Sequence, residues 1–134
     1  MMENLKQLVT LTAKMSEELK ALTLSYQALD CLPNPIVITD KDGSIRWVNK
    51  NFEKQTGYSF KEVSGLNPRV LKSGSHDAEF YKNMWDTIRD GKTWHGHIVN
   101  KYKDGSLHNE LMTITPIKQG DTVNFFVAVK QLTD

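Results

Sequence analysis

The sequence predicts an α+β fold: a five-stranded antiparallel sheet with short helices on one face, preceded by an N-terminal amphipathic helix. Three observations predict it. Residues 1–32 carry a leucine ladder that no Gly or Pro interrupts. Residues 49–89 contain repeated helix-start signals. Alternating apolar runs, two before that stretch and three after it, are punctuated by Asp42-Gly43, Asp104-Gly105 and Gly120-Asp121.

The first element is the ladder. Leu5, Leu8, Thr12, Met15, Leu19, Leu22, Tyr26 and Leu29 recur at alternating steps of three and four, a heptad seam with a at 5, 12, 19 and 26 and d at 8, 15, 22 and 29. Pro33 and Pro35 end the helix, because a residue before proline avoids the α region. Two placements satisfy the pattern: an amphipathic helix laid on its own domain, or one strand of a parallel two-stranded coiled coil. Four heptads favour the coiled coil. Leu5, Leu8, Met15, Leu19, Leu22, Tyr26 and Leu29 are then its dimer interface. Few e and g positions are charged, so ion pairs specify the partner poorly. We divide the chain into residues 1–30, the helix, and 31–134, the folded domain.

Strands are expected at Ile36-Val37-Ile38 and Ile45 to Trp47, joined through Asp42-Gly43, since Gly tolerates the positive φ of a tight turn. Asn49 is placed to cap a short helix from Lys50, and Gly57 to end it. Ser59 and Glu62 form a capping box for a second short helix, with Val63 and Leu66 as core contacts. Residues 65–76 read as a turn-rich segment. Asp77 caps a longer helix to about Arg89, whose apolar side is Phe80, Tyr81, Met84, Trp85 and Ile88. Gly91 ends it. Three strands follow: Trp94 to Lys103, Leu107 to Ile117, and Val123 to Leu132.

Composition excludes several function classes. The chain has 134 residues, a quarter of them charged, with a formal net charge of +1. That balance offers no electrostatic case for nucleic acid or an anionic membrane surface. The single cysteine, Cys31, excludes an internal disulfide and a cysteine-rich zinc site. No apolar run approaches the ~20 residues of a membrane helix. The chain reads as cytosolic. There is no phosphate-cradling Gly loop and no serine elbow, so no enzyme is expected. His95 and His97 share one face of a strand without a cysteine or carboxylate to complete a metal site.

An ordered set of motifs carries a family resemblance from Cys31 to Asp134. It comprises Asp42-Gly43 with Ile45, Asn49, Phe52 and Thr56-Gly57-Tyr58; Phe80-Tyr81 with Met84-Trp85, Gly91, Trp94 and Gly96; Asn100 through Lys103-Asp104-Gly105; and Thr113-Ile114-Thr115-Pro116-Ile117. In this order the chain resembles a PAS domain. The resemblance implies a PAS fold and a sensory input role in the cytoplasm. It also implies a homodimer, and a relay to an effector domain such as a histidine kinase or diguanylate cyclase. The relay would rotate or slide the coiled coil between two packings. The tail from Lys130 to Asp134 resembles the Asp-Ile-Thr signature that leads into an effector helix, with Gln131 standing where the acid usually sits.

The resemblance also raises a ligand. Gly65-Leu66-Asn67-Pro68-Arg69-Val70-Leu71 looks like the flavin loop of light-oxygen-voltage domains, a PAS branch. Pro68 stands where that branch has its reactive cysteine, so photoadduct chemistry is not expected. Asn100 aligns with a flavin-contacting amide, Glu110 with a second, and Val129 with the last-strand glutamine. Redox-sensing PAS domains hold FAD without the cysteine, which makes FAD the leading candidate among cofactors. Asn100, Trp94, Arg69, Glu110 and Asn67 are then its contacts, with Trp94 walling the pocket and Arg69 pairing with a phosphate. Plainer roles exist for each: core packing for Trp94 and Gly96, a satisfied turn for Asn100, a solvated charge for Arg69. Haem finds no histidine on the helix after Asp77. The face occupied by Glu110 depends on the turn length at Asp104-Gly105: a two-residue turn sets Asn100 opposite Asn109, a three-residue turn opposite Glu110. The family alignment favours Glu110 inward, where its carboxylate needs a partner.

Overall fold

The computed structural model describes residues 2–134. The chain divides into two compact units between Leu32 and Pro33. The first is helix α1, Met2–Cys31. None of its residues is buried, and Leu5, Leu8, Met15, Leu19 and Leu22 are each more than half exposed. Val9 and Leu11, beside the seam, are equally open.

The second unit is an α+β domain. A five-stranded antiparallel sheet runs in the order β2-β1-β5-β4-β3. Strands β1 (Ile36–Asp40) and β2 (Ile45–Val48) form the first hairpin. Its turn is held by the Asp40 carboxylate, which accepts from the Asp42 and Ser44 N–H groups, both at 3.0 Å. Gly43 sits at φ 88, and a Cβ there would meet the Trp85 ring at 2.9 Å. Conformation and space both require glycine.

Helix α2 (Lys50–Thr56) begins at Asn49, whose Oδ1 accepts from Phe52 N–H at 3.0 Å. The same oxygen accepts from Ile36 N–H at 2.9 Å, and Nδ2 donates to Asn34 C=O at 2.9 Å. One fully buried amide thus caps the helix and pins the start of β1. Helix α3 (Phe60–Val63) has the capping box of Ser59 and Glu62. The segment read as turns contains a 3₁₀ helix, Pro68–Leu71, which Asn67 caps by accepting from Arg69 N–H at 3.0 Å. Helix α4 (Ala78–Arg89) is capped by Asp77. Strands β3 (Trp94–Lys101), β4 (Leu107–Gln119) and β5 (Thr122–Leu132) complete the sheet.

Neither register considered for the Asp104-Gly105 turn is adopted. Lys101 pairs with Leu107, so Asn100 lies opposite His108 and Ile98 opposite Glu110. The connection is closed internally. Tyr102 N–H donates to Ser106 C=O at 2.9 Å, and the Asp104 carboxylate accepts from Ser106 N–H at 2.9 Å. Glu110 nevertheless faces inward, on the side of Met112 and Ile114, while Leu107 and Leu111 face out.

Helices and sheet enclose two adjoining apolar clusters. Met84, Ile88, Trp94, Ile98, Met112, Ile114 and Phe126 pack beneath α4. Val37, Ile45, Val48, Phe52, Val63 and Leu71 pack beneath α2 and α3. Ala128 on β5 touches both clusters.

Candidate functional site

The inner face of the sheet bounds a cavity of about 300 Å³, with α4 and the 3₁₀ segment opposite. This is the small end of the range for ligand clefts, roughly 300–1,000 Å³. Most of its wall is apolar: Val37, Leu71, Met84, Trp85, Ile88, Ile98, Met112, Ile114, Phe126 and Ala128 all reach it. The polar exceptions define it. Arg69 and Lys72 are exposed lining residues, whereas Lys130 lines it from a buried position, 3 % exposed. No carboxylate lines it.

A hydrogen-bonded chain lies beside Lys130. Glu110 is completely buried, and its Oε1 accepts from Asn100 Nδ2 at 2.6 Å. Its Oε2 accepts from the Tyr102 hydroxyl at 2.8 Å. The Lys130 ammonium lies 3.9 Å from Glu110 Oε1 and 5.5 Å from the centre of the Phe52 ring. Burial pushes the Lys130 pKa down from the ordinary lysine range, against the pull of the Glu110 charge. Burial, then the hydrogen bond to Glu110, pushes the Tyr102 pKa up. At 3.9 Å the pair with Glu110 is longer than a hydrogen bond, so an acceptor in the cavity could approach the ammonium more closely.

Two further polar atoms in the lining are buried without a partner: Thr39 Oγ1 and the Tyr81 hydroxyl. An unpaired buried hydroxyl costs roughly 1–3 kcal/mol, and such groups are rare in native folds. Burial raises the Tyr81 pKa. The Tyr81 ring carries Lys72 Nζ at 4.2 Å from its centre, and Lys72 bridges in backbone to Asn100. His76 follows the 3₁₀ segment; its Nε2 accepts from Val99 N–H at 2.9 Å, and its ring stacks on Phe80 at 4.0 Å.

Of the residues singled out in the sequence, Asn67, Arg69 and Asn100 line the cavity. Glu110 stands behind Asn100, outside the lining. Trp94 is a correction. It does not line the cavity; its indole folds back over Gly96, where a Cβ would come within 2.6 Å, and meets Phe80 edge-on at 5.7 Å. The Trp-x-Gly spacing is therefore a packing pair. Val129 is a second correction. It sits on the outer face, 37 % exposed, and Ala128 and Lys130 are the inward positions of β5. Sequence reading missed Lys130, Thr39 and Tyr81 as polar lining residues. The signal for Lys130 was a cation in an apolar strand at the parity of Phe126, Ala128 and Lys130.

Among the described residues, no cluster of three His, Cys, Asp or Glu side chains is placed to hold a metal ion. No described helix is long and apolar enough to cross a membrane.

Comparison with known proteins places this architecture. The family model for the PAS domain matches residues 33–134. A nitrogen fixation regulatory protein of Klebsiella pneumoniae is 32% identical over 99 residues, which cover 72% of this chain and 20% of that protein. The chain thus spans about a fifth of that relative's length. The light-oxygen-voltage domain of a blue-light activated histidine kinase from Erythrobacter litoralis superposes with a TM-score of 0.70 at 26% identity, covering 76% of this chain and 97% of that one. The PAS domain of an HTR-like protein from Haloarcula marismortui superposes with a TM-score of 0.77 at 18% identity, covering 91% and 99%.

Proposed function

The chain belongs to the PAS domain family, and from that membership we propose that it is a cytoplasmic sensory module, not an enzyme. It pairs with a second copy through α1 and passes a small-molecule signal to an effector such as a histidine kinase or diguanylate cyclase. The observation that carries the pairing is α1 itself. Its thirty residues include none that is buried, and the seam residues Leu5, Leu8, Met15, Leu19 and Leu22 are 52–64 % exposed. An apolar stripe of this length marks an association surface. A second helix burying it would gain roughly 25 cal/mol per Å². The likeness to the light-oxygen-voltage domain of a blue-light activated histidine kinase supports that choice of effector. Sedimentation of the full chain against a chain lacking residues 1–28 tests the pairing. A dimer that becomes a monomer on truncation is expected; equal monomer masses remove the dimer role.

A second reading, an FAD-binding redox sensor, is favoured by the cationic residues of the lining. Arg69 and Lys72 are exposed there and suit a pyrophosphate, and the Asn100 carbonyl and the Thr39 hydroxyl suit the edge of a flat heterocycle. These donor types suit such a group, whose bulk would extend beyond a cavity of about 300 Å³. A bound flavin would supply a reversible redox couple. No thiol lines the cavity, and Cys31 lies on α1, so a cysteinyl photoadduct is not part of this reading. A yellow preparation with an oxidised-flavin band supports it, and a colourless, fully folded chain removes it.

A further inference from the structure

We propose that the cavity binds a small organic carboxylate whose head group docks on Lys130 and whose apolar body lies over Ala128 toward Thr39. The inference rests on the first reading above, of a module that senses a small molecule.

Three observations converge on it. The first is charge. The lining holds Arg69, Lys72 and Lys130 and no carboxylate. Glu110 answers Lys130 from behind, at 3.9 Å, beyond hydrogen-bond reach, and both its oxygens are already engaged by Asn100 and Tyr102. A buried ammonium with no acceptor at contact distance is expensive to keep charged. An anionic group entering from the cavity side supplies the missing acceptor.

The second observation is the layout of the orphan donors. Thr39 pairs in register with Phe126 on β5, so Lys130 lies four residues further along the same strand. At ~3.3 Å per residue the two positions are about 13 Å apart. Ala128 lies between them on the inner face, Phe126 stands beside Thr39, and Met112 and Ile114 of β4 lie beside Lys130 and Ala128. The site is therefore polar at both ends and apolar between. The ligand that matches is elongated, anionic at the Lys130 end and able to meet a hydroxyl at the other.

The third observation is capacity. A cavity of about 300 Å³ stands at the lower end of the range of small-molecule clefts, roughly 300–1,000 Å³. That suits an aromatic or medium-chain carboxylate. A phosphate dianion brings more charge and more acceptors than one ammonium at the Lys130 end can satisfy.

The experiment is calorimetric titration of the full chain with phenylacetate, 3-phenylpropionate, hexanoate and octanoate, each run against its neutral amide. At least one acid is expected to bind at millimolar concentration or better, and to exceed its amide by at least tenfold. The variant is Lys130→Met combined with Glu110→Gln, which leaves no unpaired buried charge and keeps the shape of both side chains. It is expected to fold and to bind acid and amide alike. Lys130→Met alone serves as a harsher control that loses folding stability. Acids no better than their amides in the unmodified chain overturn the proposal whether or not any variant folds. So does a double variant that keeps the acid preference, or the absence of binding by every acid. A flavin that co-purifies and is not displaced by any acid overturns it too, while leaving the sensory reading in place. The pairing through α1 is tested separately, by sedimentation.

Discussion

Two buried polar sites in one sheet behave in opposite ways. At the corner between β1 and α2, Asn49 is fully buried, and its amide is tied to Ile36, Phe52 and Asn34. At the cavity, Lys130 is nearly as buried, yet its ammonium stands 3.9 Å from Glu110, beyond hydrogen-bond reach, and Thr39 and Tyr81 leave hydroxyls unpaired. A polar group satisfied within its own chain holds the fold together. One left unsatisfied on the wall of a cavity lowers stability in the free protein, and a ligand can recover that loss. The difference separates the part of this domain that keeps its shape from the part that can respond.

The largest expected effect comes from removing the one partner Lys130 has. Glu110→Ala leaves a buried ammonium uncompensated and frees Asn100 Nδ2 and the Tyr102 hydroxyl at the same time. Urea unfolding should show a loss of about 3–5 kcal/mol, the usual result of breaking a buried pair from one side. A loss below about 1 kcal/mol would mean that water already solvates Lys130, and the contrast with Asn49 would disappear.

Asn49→Ala comes next. It removes the cap of α2 and orphans the Ile36 N–H and the Asn34 C=O, so a loss of about 2–3 kcal/mol is expected by the same measurement. The cavity should bind its ligand as before in whatever fraction remains folded. A change in affinity larger than the change in folded fraction would show that the corner belongs to the responding part.

How much of each site the sequence displays follows from the range of the forces involved. Asn49 was legible because its capping partner, Phe52, is three residues away and local chemistry fixes it. Ser59 with Glu62 and Asp77 with Phe80 were legible for the same reason. The cavity was legible only in part, through Asn67, Arg69 and Asn100, because its polar residues come from β1, β3, β5, the 3₁₀ segment and α4 and meet only through register. A shift of one residue exchanges Val129 for Lys130, and the aligned strand pattern gave the wrong one. The β4–β5 ladder also shifts between Ile117 and Lys118, an irregularity without a local signature. At the Asp104-Gly105 turn, Tyr102 N–H donates to Ser106 C=O and leaves residues 103–105 as the loop, which sets Asn100 opposite His108, a register neither turn considered had given. What remained visible at a distance was the inward choice for Glu110, which came from the family pattern and not from periodicity.

Thr39→Val isolates one orphan. The substitution keeps the branched shape and removes a hydroxyl that has no partner. Stability should stay level or rise by up to about 1 kcal/mol, since a β strand suits valine and an unsatisfied group is lost. Destabilisation instead would reveal that Thr39 is satisfied in solution, and one pole of the proposed site would go with it.

The smallest effect belongs to a third polar cluster, satisfied like Asn49 but open to solvent. Asp134 accepts from Asn109 N–H at 2.7 Å and lies 2.6 Å from His108 Nδ1, and His108 stacks on Tyr102 at 4.0 Å. The Asn109 N–H, followed by His108, holds the Asp134 carboxyl below its ordinary range. A carboxylate with a folded pKa below its unfolded value of about 3.9 contributes stability above that value and loses it as the pH falls through the lower, folded pKa. The clasp should therefore persist at neutral pH and open only in acid. The Asn109 amide proton, followed by NMR, should shift with an inflection below that of a free aspartate, and Asp134→Asn should abolish the inflection with little change in global stability, because solvent screens an exposed pair. An inflection at the ordinary aspartate value would show that the clasp is not formed in solution. Tyr102 would then keep its hydrogen bond to Glu110 and its stack on His108 without a carboxylate holding the imidazole, and the exposed cluster would no longer count with Asn49 among the satisfied polar groups.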